Sequence, residues 1–301
     1  MNPWVKRGAL AVGALLVIAV AIVGAGTQLA QRKMDRRIDV AVQPVAYRSD
    51  AQGLERGRYL FASRGCTECH GANGAGRVFV DDGKGMKLKG PNITAGAGGV
   101  VAAYEPQDWV RTIRHGVKPD GRPALVMPSE DYNRLTDVDL AALVAYVRQL
   151  PPAAGAPATI EFPVLVKTLY AFGAIPDAAE KIDHTLPPAQ PVAEGVNLEH
   201  GRYVVNMCIG CHGEHLSGGK VPGGPPDWPA AANLTPGEGS AMKRYASAEQ
   251  FMAMLRTGKR PDGSAVSGVM PFSALKELNE TDMKAAHLYL RSLPPRPAGG
   301  R

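Results

Sequence analysis

All four cysteines of the chain lie in two short motifs, Cys66-Thr67-Glu68-Cys69-His70 and Cys208-Ile209-Gly210-Cys211-His212. In each motif two thiols lie one helical turn apart, where both can add to the vinyl groups of one porphyrin, and the adjacent imidazole then lies under the iron. The motifs predict two covalently bound haem c groups. The predicted attachment residues are Cys66, Cys69, Cys208 and Cys211, and the predicted axial ligands are His70 and His212.

Other uses of paired cysteines fit the sequence less well. A structural zinc site could use two such pairs, but these pairs are far apart and each has its own histidine. A thioredoxin-like redox motif would need a surrounding βαβ pattern, which the sequence lacks. Disulfides are possible in an exported protein, yet they would not explain the paired histidines.

A sixth iron ligand would decide between an electron carrier and a catalyst. Among ten methionines, Met127 and Met270 follow His70 and His212 at matching distances, and each precedes a proline. A thioether ligand would complete a low-spin site, raise its reduction potential and leave no open position for a substrate. We therefore predict Met127 and Met270 as axial ligands, with core packing as the alternative for both and Met86 as the rival in the first site.

The two motifs belong to a longer internal repeat with an offset of 141 to 144 residues. We predict a first domain over residues 50–152 and a second over 198–296, called here the first and second copy. The matching segments include Leu54–Tyr59 with Leu198–Tyr203, Asn92–Thr94 with Asn233–Thr235, Pro119–Gly121 with Pro261–Gly263, and Leu150–Pro152 with Leu293–Pro295.

Each copy ends in a predicted amphipathic helix. Thr136 and Asn279 are candidate N-caps, followed three residues later by Asp139 and Asp282. Shorter helices are predicted over 109–115 and 251–257, and no alternating strand pattern competes with them. The predicted fold class is all-α, with two tandem domains after an N-terminal helix.

Residues 1–36 contain an apolar run with no charged residue from Gly8 to Gly26. This run is long enough to span a bilayer and exceeds the usual core of a signal peptide. We expect a single-pass membrane anchor, with a cleaved signal ending near Val23-Gly24-Ala25 as the alternative. Either interpretation exports the rest of the chain.

The formal charge of +6 comes mostly from the flanks of this apolar run, where six Lys and Arg residues accompany one Asp. The remainder is nearly neutral and has no stripe of basic residues interleaved with aromatic ones. This distribution excludes nucleic acid as an expected partner.

Residues 153–197 belong to neither copy and form a predicted linker rich in Pro and Ala. Its segment 162–172 is too apolar to be a solvated spacer. We expect this segment to pack across the two copies; the alternative is docking to a partner subunit or to the membrane surface.

Both copies resemble class I cytochrome c domains. In that family the first and last helices cross where a glycine meets aromatic residues, which Gly57 with Phe61 and Tyr146, and Gly201 with Tyr289, would match. Gly90-Pro91-Asn92-Ile93 resembles the family element in which a proline carbonyl accepts a hydrogen bond from the axial histidine, so the resemblance gives Pro91 that role toward His70. The second copy has Ala232 there. We therefore predict that His212 lacks this support and that the two haems have unequal potentials.

A narrower resemblance comes from residues 109–152, the Phe-Pro linker and the anchor. Together they resemble membrane-bound cytochrome subunits of periplasmic alcohol and sugar dehydrogenases, which usually carry three such domains. The implied function is electron transfer at the periplasmic face of the cytoplasmic membrane. The implied partners are a dehydrogenase as donor and a terminal oxidase or small electron carrier as acceptor. A catalytic dihaem enzyme, such as a peroxidase or a sulfur-compound-oxidising enzyme, is the alternative.

Overall fold

A long helix, α1, covers Pro3–Met34. The computed structural model describes residues 2–225 and 227–301. Within these residues α1 is the one helix long and apolar enough to cross a membrane, and its apolar window is exposed throughout. The helix carries no acidic residue in its first turn and ends with Arg32 and Lys33, which suit the negative end of the helix dipole.

The first copy contains five helices. Its last helix begins as predicted, because the Thr136 side chain accepts a hydrogen bond from the Asp139 backbone N–H at 3.1 Å. The predicted helix over 109–115 starts earlier, at Pro106, where Glu105 and Asp108 form a capping box. The five are α2 (Ala51–Ser63), α3 (Cys66–His70), α4 (Pro106–His115), α5 (Ser129–Tyr132) and α6 (Asp137–Arg148).

The second copy repeats these helices in the same order. Asn279 caps its last helix by accepting from the Asp282 N–H at 2.7 Å. Each copy also has its own cluster of buried apolar side chains. The helices are α9 (Leu198–Val205), α10 (Ile209–His212), α11 (Ala248–Thr257), α12 (Phe272–Leu275) and α13 (Glu280–Ser292), with 3₁₀ turns at Asn206–Cys208 and Ala241–Arg244.

In each copy the first and last helices cross at a glycine, as predicted. A Cβ on Gly57 would overlap the Ala142 carbonyl oxygen and lie 2.6 Å from Tyr146 Cβ. The Phe61 and Tyr146 rings are 5.6 Å apart beside this crossing. Gly201 meets Ala285 and Tyr289 in the same way in the second copy. The close approach of the two backbones therefore depends on a glycine in both copies.

The prediction of an all-α fold needs a correction, because a small antiparallel sheet is present. It has three strands in the order β1 (Val78–Asp81), β2 (Lys87–Lys89) and β3 (Thr159–Glu161). The strands are too short for an alternating pattern to stand out in the sequence. Since β3 comes from the predicted linker, the start of the linker packs on the first copy.

The rest of the linker forms α7 (Val164–Ala171) and α8 (Ala178–Lys181). The expectation that segment 162–172 packs across the two copies is wrong, because α7 lies against α1 instead. A Cβ on Gly26 of α1 would lie 3.0 Å from the Thr168 side chain. Just after the end of α1, Arg36 forms a 2.7 Å ion pair with the buried Asp177 and donates a hydrogen bond to the Tyr170 hydroxyl at 2.8 Å.

Reciprocal hydrogen bonds connect the two copies. Tyr203 of the second copy donates its hydroxyl proton to Asp139 of the first at 2.6 Å, and Tyr59 of the first donates to Asp282 of the second at 2.6 Å. The same hydroxyls accept from the N-cap N–H groups of Thr136 and Asn279. The sequence repeat is thus matched by a pseudo-symmetric interface.

Candidate haem sites

The first motif lies in α3, a single helical turn that holds the two thiols and His70 on the same short element. His70 Nδ1 donates a hydrogen bond to the Pro91 carbonyl oxygen at 3.0 Å. This bond fixes the tautomer and leaves Nε2 free to bind a metal. Burial lowers the pKa of His70, although the Pro91 carbonyl opposes this shift, so the imidazole is held in the neutral form that a metal requires.

The histidine of the second motif makes the same kind of hydrogen bond, which overturns one prediction. His212 Nδ1 donates to the Ala232 carbonyl oxygen at 2.8 Å, so the histidine does not lack support. The reason is that the acceptor belongs to the backbone, which alanine supplies as well as proline. Burial likewise lowers the pKa of His212.

A pair of glycines, absent from the sequence-based predictions, allows these carbonyls to reach the histidines. Gly76 has a φ of +82°, and a Cβ there would lie 2.9 Å from the Pro91 oxygen; Gly218 has a φ of +76°, and a Cβ there would lie 2.6 Å from the Ala232 oxygen. Their N–H groups bond the carbonyl oxygens of His70 and His212, each at 2.8 Å. The 142-residue offset between these glycines was the available sequence signal.

The two candidate methionine ligands lie in equivalent turns. Pro128 and Pro271 have nearly identical backbone angles, φ −80° and ψ 65° against φ −79° and ψ 66°, and each begins a short helix. Met127 packs against the apolar cluster of the first copy together with Cys66. Met86, its rival, lies apart in the turn between β1 and β2, where its N–H bonds the Asp82 carboxylate.

In the second copy an apolar cavity brings the predicted residues together. Cys208, His212 and Met270 all line it, and most of the remaining lining is aliphatic or aromatic. This donor set, with an attachment thiol, a neutral imidazole and a thioether around an apolar space, fits a haem. Three further methionines, Met207, Met242 and Met254, line the same cavity.

The thiols are not arranged for thiolate chemistry. Burial raises the pKa of both Cys66 and Cys208 to about 12, and that of Cys69 to about 11. Reactive cysteines in disulfide exchange have depressed pKa values instead. The local environment therefore does not favour a redox-active cysteine pair.

Each motif lies next to a residue of the other copy. The Asp131 carboxylate of the first copy accepts a hydrogen bond from the Gly210 N–H at 2.9 Å. Burial, with Glu130 close by, raises the pKa of Asp131 to about 7. The counterpart of Asp131 is Ala274, which lies near Gly65 at the start of the first motif. This contact was missed because nothing in the sequence pairs α5 with the second motif.

Comparison with known proteins gives matches to cytochromes and cytochrome subunits. Residues 52–147 match the family model for cytochrome c oxidase, cbb3-type, subunit III. The chain is 26% identical over 289 residues to the fructose dehydrogenase cytochrome subunit of Gluconobacter japonicus, covering 86% of this chain and 56% of that protein. It is 24% identical over 289 residues to the cytochrome c subunit of a quinone alcohol dehydrogenase from Gluconobacter oxydans, covering 83% and 57%.

A third relative is one of the subunits of nicotinate dehydrogenase from Pseudomonas putida, which is 28% identical over 270 residues, covering 81% of this chain and 22% of that protein. The chain spans a little over half the length of the first two relatives. The predicted resemblance to c-type cytochromes, and to cytochrome subunits of dehydrogenases in particular, is confirmed. This resemblance supports covalently bound haem c as the cofactor.

Proposed function

We propose that the chain is a membrane-anchored cytochrome with two haem c groups that passes electrons from a periplasmic dehydrogenase towards a terminal oxidase or a small carrier. Haem c supplies one-electron transfer when bound. The observation that carries the proposal is the repeated arrangement of paired thiols, a histidine oriented by a backbone carbonyl, and a methionine in an equivalent Met-Pro turn.

Within this proposal the chain's residues have distinct roles in each copy. Cys66 and Cys69, or Cys208 and Cys211, would hold the haem covalently. His70 and His212 would ligate its iron, and Met127 and Met270 would supply the further ligand. A filled sixth position favours electron transfer over peroxidase or sulfur-oxidising chemistry, because substrate then has no open coordination site.

The methionine assignment has a sharp internal test in the second copy. The repeat favours Met270 over the other methionines of the cavity, since Met207, Met242 and Met254 align with Gly65, Val101 and Thr112 of the first copy. In the haem-loaded protein, Met270→Ala should abolish half of the thioether-to-iron absorption band, and Met127→Ala the other half. Met254→Leu is the matched control and should leave the band intact. A high-spin spectrum of the unmodified protein, or peroxide turnover by it, would refute the carrier proposal.

Mass spectrometry of the intact protein tests the number of covalently bound haems. The unmodified chain should carry two haems, and Cys66→Ala with Cys69→Ala should carry one, as should Cys208→Ala with Cys211→Ala. Retention of two haems in either double variant would contradict the assignment of the attachment residues.

The electron donor is proposed from the relatives, whose names are those of dehydrogenase subunits. A dehydrogenase subunit should co-purify with a tagged chain from its native membranes. Addition of the substrate of that dehydrogenase should then reduce the haems. Recovery of oxidase subunits alone would contradict a dehydrogenase partner.

Retention of α1 as a single-pass anchor, with both copies facing the periplasm, is part of the same proposal. The flank of α1 is tied to the linker through Arg36, Tyr170 and Asp177, which gives the helix a fixed attachment to the rest of the chain. N-terminal sequencing of the mature protein tests the point, because a start near Gly26 would mean cleavage.

A further inference from the structure

Beyond the anchor, helix α7 presents an apolar strip to the outside of the protein. Leu165, Leu169 and the C-cap residue Phe172 follow one another at helical spacing, and 68%, 38% and 61% of their respective surfaces are exposed. The opposite side of the helix packs inside the protein, since Tyr170 is buried and its hydroxyl donates a hydrogen bond to Asp177 at 2.6 Å. A strip of this kind is unfavourable in water, so it requires a partner.

The position at which α7 contacts α1 indicates that the partner of the apolar strip is the membrane surface. A helix rises about 1.5 Å per residue, so a hydrocarbon layer of about 30 Å that begins at Arg7 ends about 20 residues later, near Thr27. Gly26 touches Thr168 of α7 at that level. The apolar strip therefore lies at the boundary between lipid chains and headgroups.

Charged residues are arranged to match this placement. Arg32 and Arg37 follow Gly26 along the chain and are exposed, at the level where anionic headgroups would lie. Lys33 is held beside α7, with its Nζ 2.9 Å from the Tyr170 carbonyl oxygen and 3.0 Å from Glu180. Together with Arg36, this lysine fixes α7 to α1, so the strip cannot turn away from the membrane without breaking ion pairs.

We propose that α7 is an interfacial helix whose strip Leu165, Leu169 and Phe172 inserts into the outer surface of the bilayer beside α1. Such helices bury their apolar face about 5–10 Å into the boundary region. The first and second copies would then be attached to the membrane through both α1 and α7. This would restrict their motion more than attachment through α1 alone. This proposal rests on retention of the anchor.

Depth measurements on nitroxide labels test the proposal. The full, haem-loaded chain is placed in vesicles of phosphatidylethanolamine and phosphatidylglycerol, with one label each at Leu165→Cys, Phe172→Cys, Lys167→Cys, Val196→Cys or Val17→Cys. The native cysteines are occupied by haem. Collision with oxygen reports lipid exposure, and collision with a neutral nickel chelate reports water exposure.

Labels at Leu165 and Phe172 should collide several-fold more with oxygen than with the nickel chelate, relative to the label at Val196, an exposed residue before the second copy. Lys167, away from the strip on α7, should resemble Val196. Water exposure at both strip positions would overturn the proposal, and so would shielding from both reagents, which would mean that another protein surface covers α7. The label at Val17 reports on the anchor separately: lipid exposure there with water exposure at Leu165 would leave the anchor intact and refute only the interfacial helix.

Discussion

Replacement of either cross-copy tyrosine by phenylalanine tests whether the two copies form one structural unit. Tyr203→Phe removes a hydroxyl that donates to Asp139 at 2.6 Å and accepts from the Thr136 N–H at 3.3 Å. Tyr59→Phe removes the corresponding bonds to Asp282 and Asn279. The ring stays in place, so the change is confined to the hydroxyl group.

The expected loss of unfolding free energy depends on the hydrogen bonds that each carboxylate retains in the variant. A hydrogen bond to a charged group contributes about 1.5–3 kcal/mol, and an unpaired buried charge would cost more. Asp139 retains two bonds from Arg56, each 2.8 Å long, so no unpaired charge is created. Asp282 likewise retains His200 at 2.8 Å. We therefore expect each variant to lose about 2 kcal/mol of unfolding free energy, and the double variant about 4 kcal/mol, because each carboxylate keeps its own remaining partner.

Guanidinium unfolding of the haem-loaded chain in detergent micelles, followed by haem absorbance and circular dichroism, measures these changes. The unmodified protein should unfold in one transition that includes both copies. Tyr289→Phe is the control, since the structure shows no hydrogen bond from its hydroxyl to any described residue. The reasoning is refuted if Tyr59→Phe and Tyr203→Phe lie within about 0.5 kcal/mol of this control, a difference typical of neutral surface changes.

Four further predictions concern single residues. Gly57→Ala and Gly201→Ala should each cost about 1–3 kcal/mol in the same unfolding assay, because a Cβ meets the facing helix backbone, whereas Gly268→Ala, with open space around it, should be nearly neutral. Burial opposes ionisation of Asp282, but Arg64, Tyr59 and His200 together lower its pKa. Its contribution to stability is therefore present above about pH 4 and lost as pH falls through the folded-state pKa, so Asp282→Asn should flatten the acid side of the stability profile, and an unchanged profile would contradict this. Pro91→Ala should leave the haem spectrum of the first site unchanged, since the backbone carbonyl remains, and a shift to high spin would show that the proline ring is needed. At a pH above the Asp131 pKa of about 7, Asp131→Asn should raise the midpoint potential of the second haem more than that of the first, because a negative charge hydrogen-bonded to the second motif is removed; equal shifts at both haems would argue against this.

Local patterns in the sequence predicted the helices and their caps well. Thr136 and Asn279 cap the final helices as expected, and Gly57 and Gly201 lie at the crossings. These features depend on residues close in sequence or repeated at a fixed offset, so one chain is enough to detect them. The sheet was missed because its third strand comes from the linker, about 70 residues after the second. The position of α7 was wrong for a related reason, since apolar composition shows that a segment packs but not against what.

The error at Ala232 has a different origin. Proline at this position suggested a side-chain requirement, whereas the structure uses only a carbonyl oxygen, whose position depends on the glycine that packs against it. The two histidines therefore have equivalent support. The prediction of unequal haem potentials therefore loses its original basis, and the clearest remaining difference between the two proposed sites is Asp131 against Ala274.

That difference exists only because the copies are joined. The sequence pattern indicated that Asp139 and Asp282 are helix-capping residues, yet their carboxylates accept hydrogen bonds from tyrosines of the opposite copy. The same interface places α5 of the first copy against the second motif and α12 of the second copy against the first motif. Each proposed haem site is thus adjoined by a residue of the other copy, and the two copies have different side chains at this equivalent position. A sequence repeat can in this way produce two unlike sites, because each copy packs against a partner that has diverged from it.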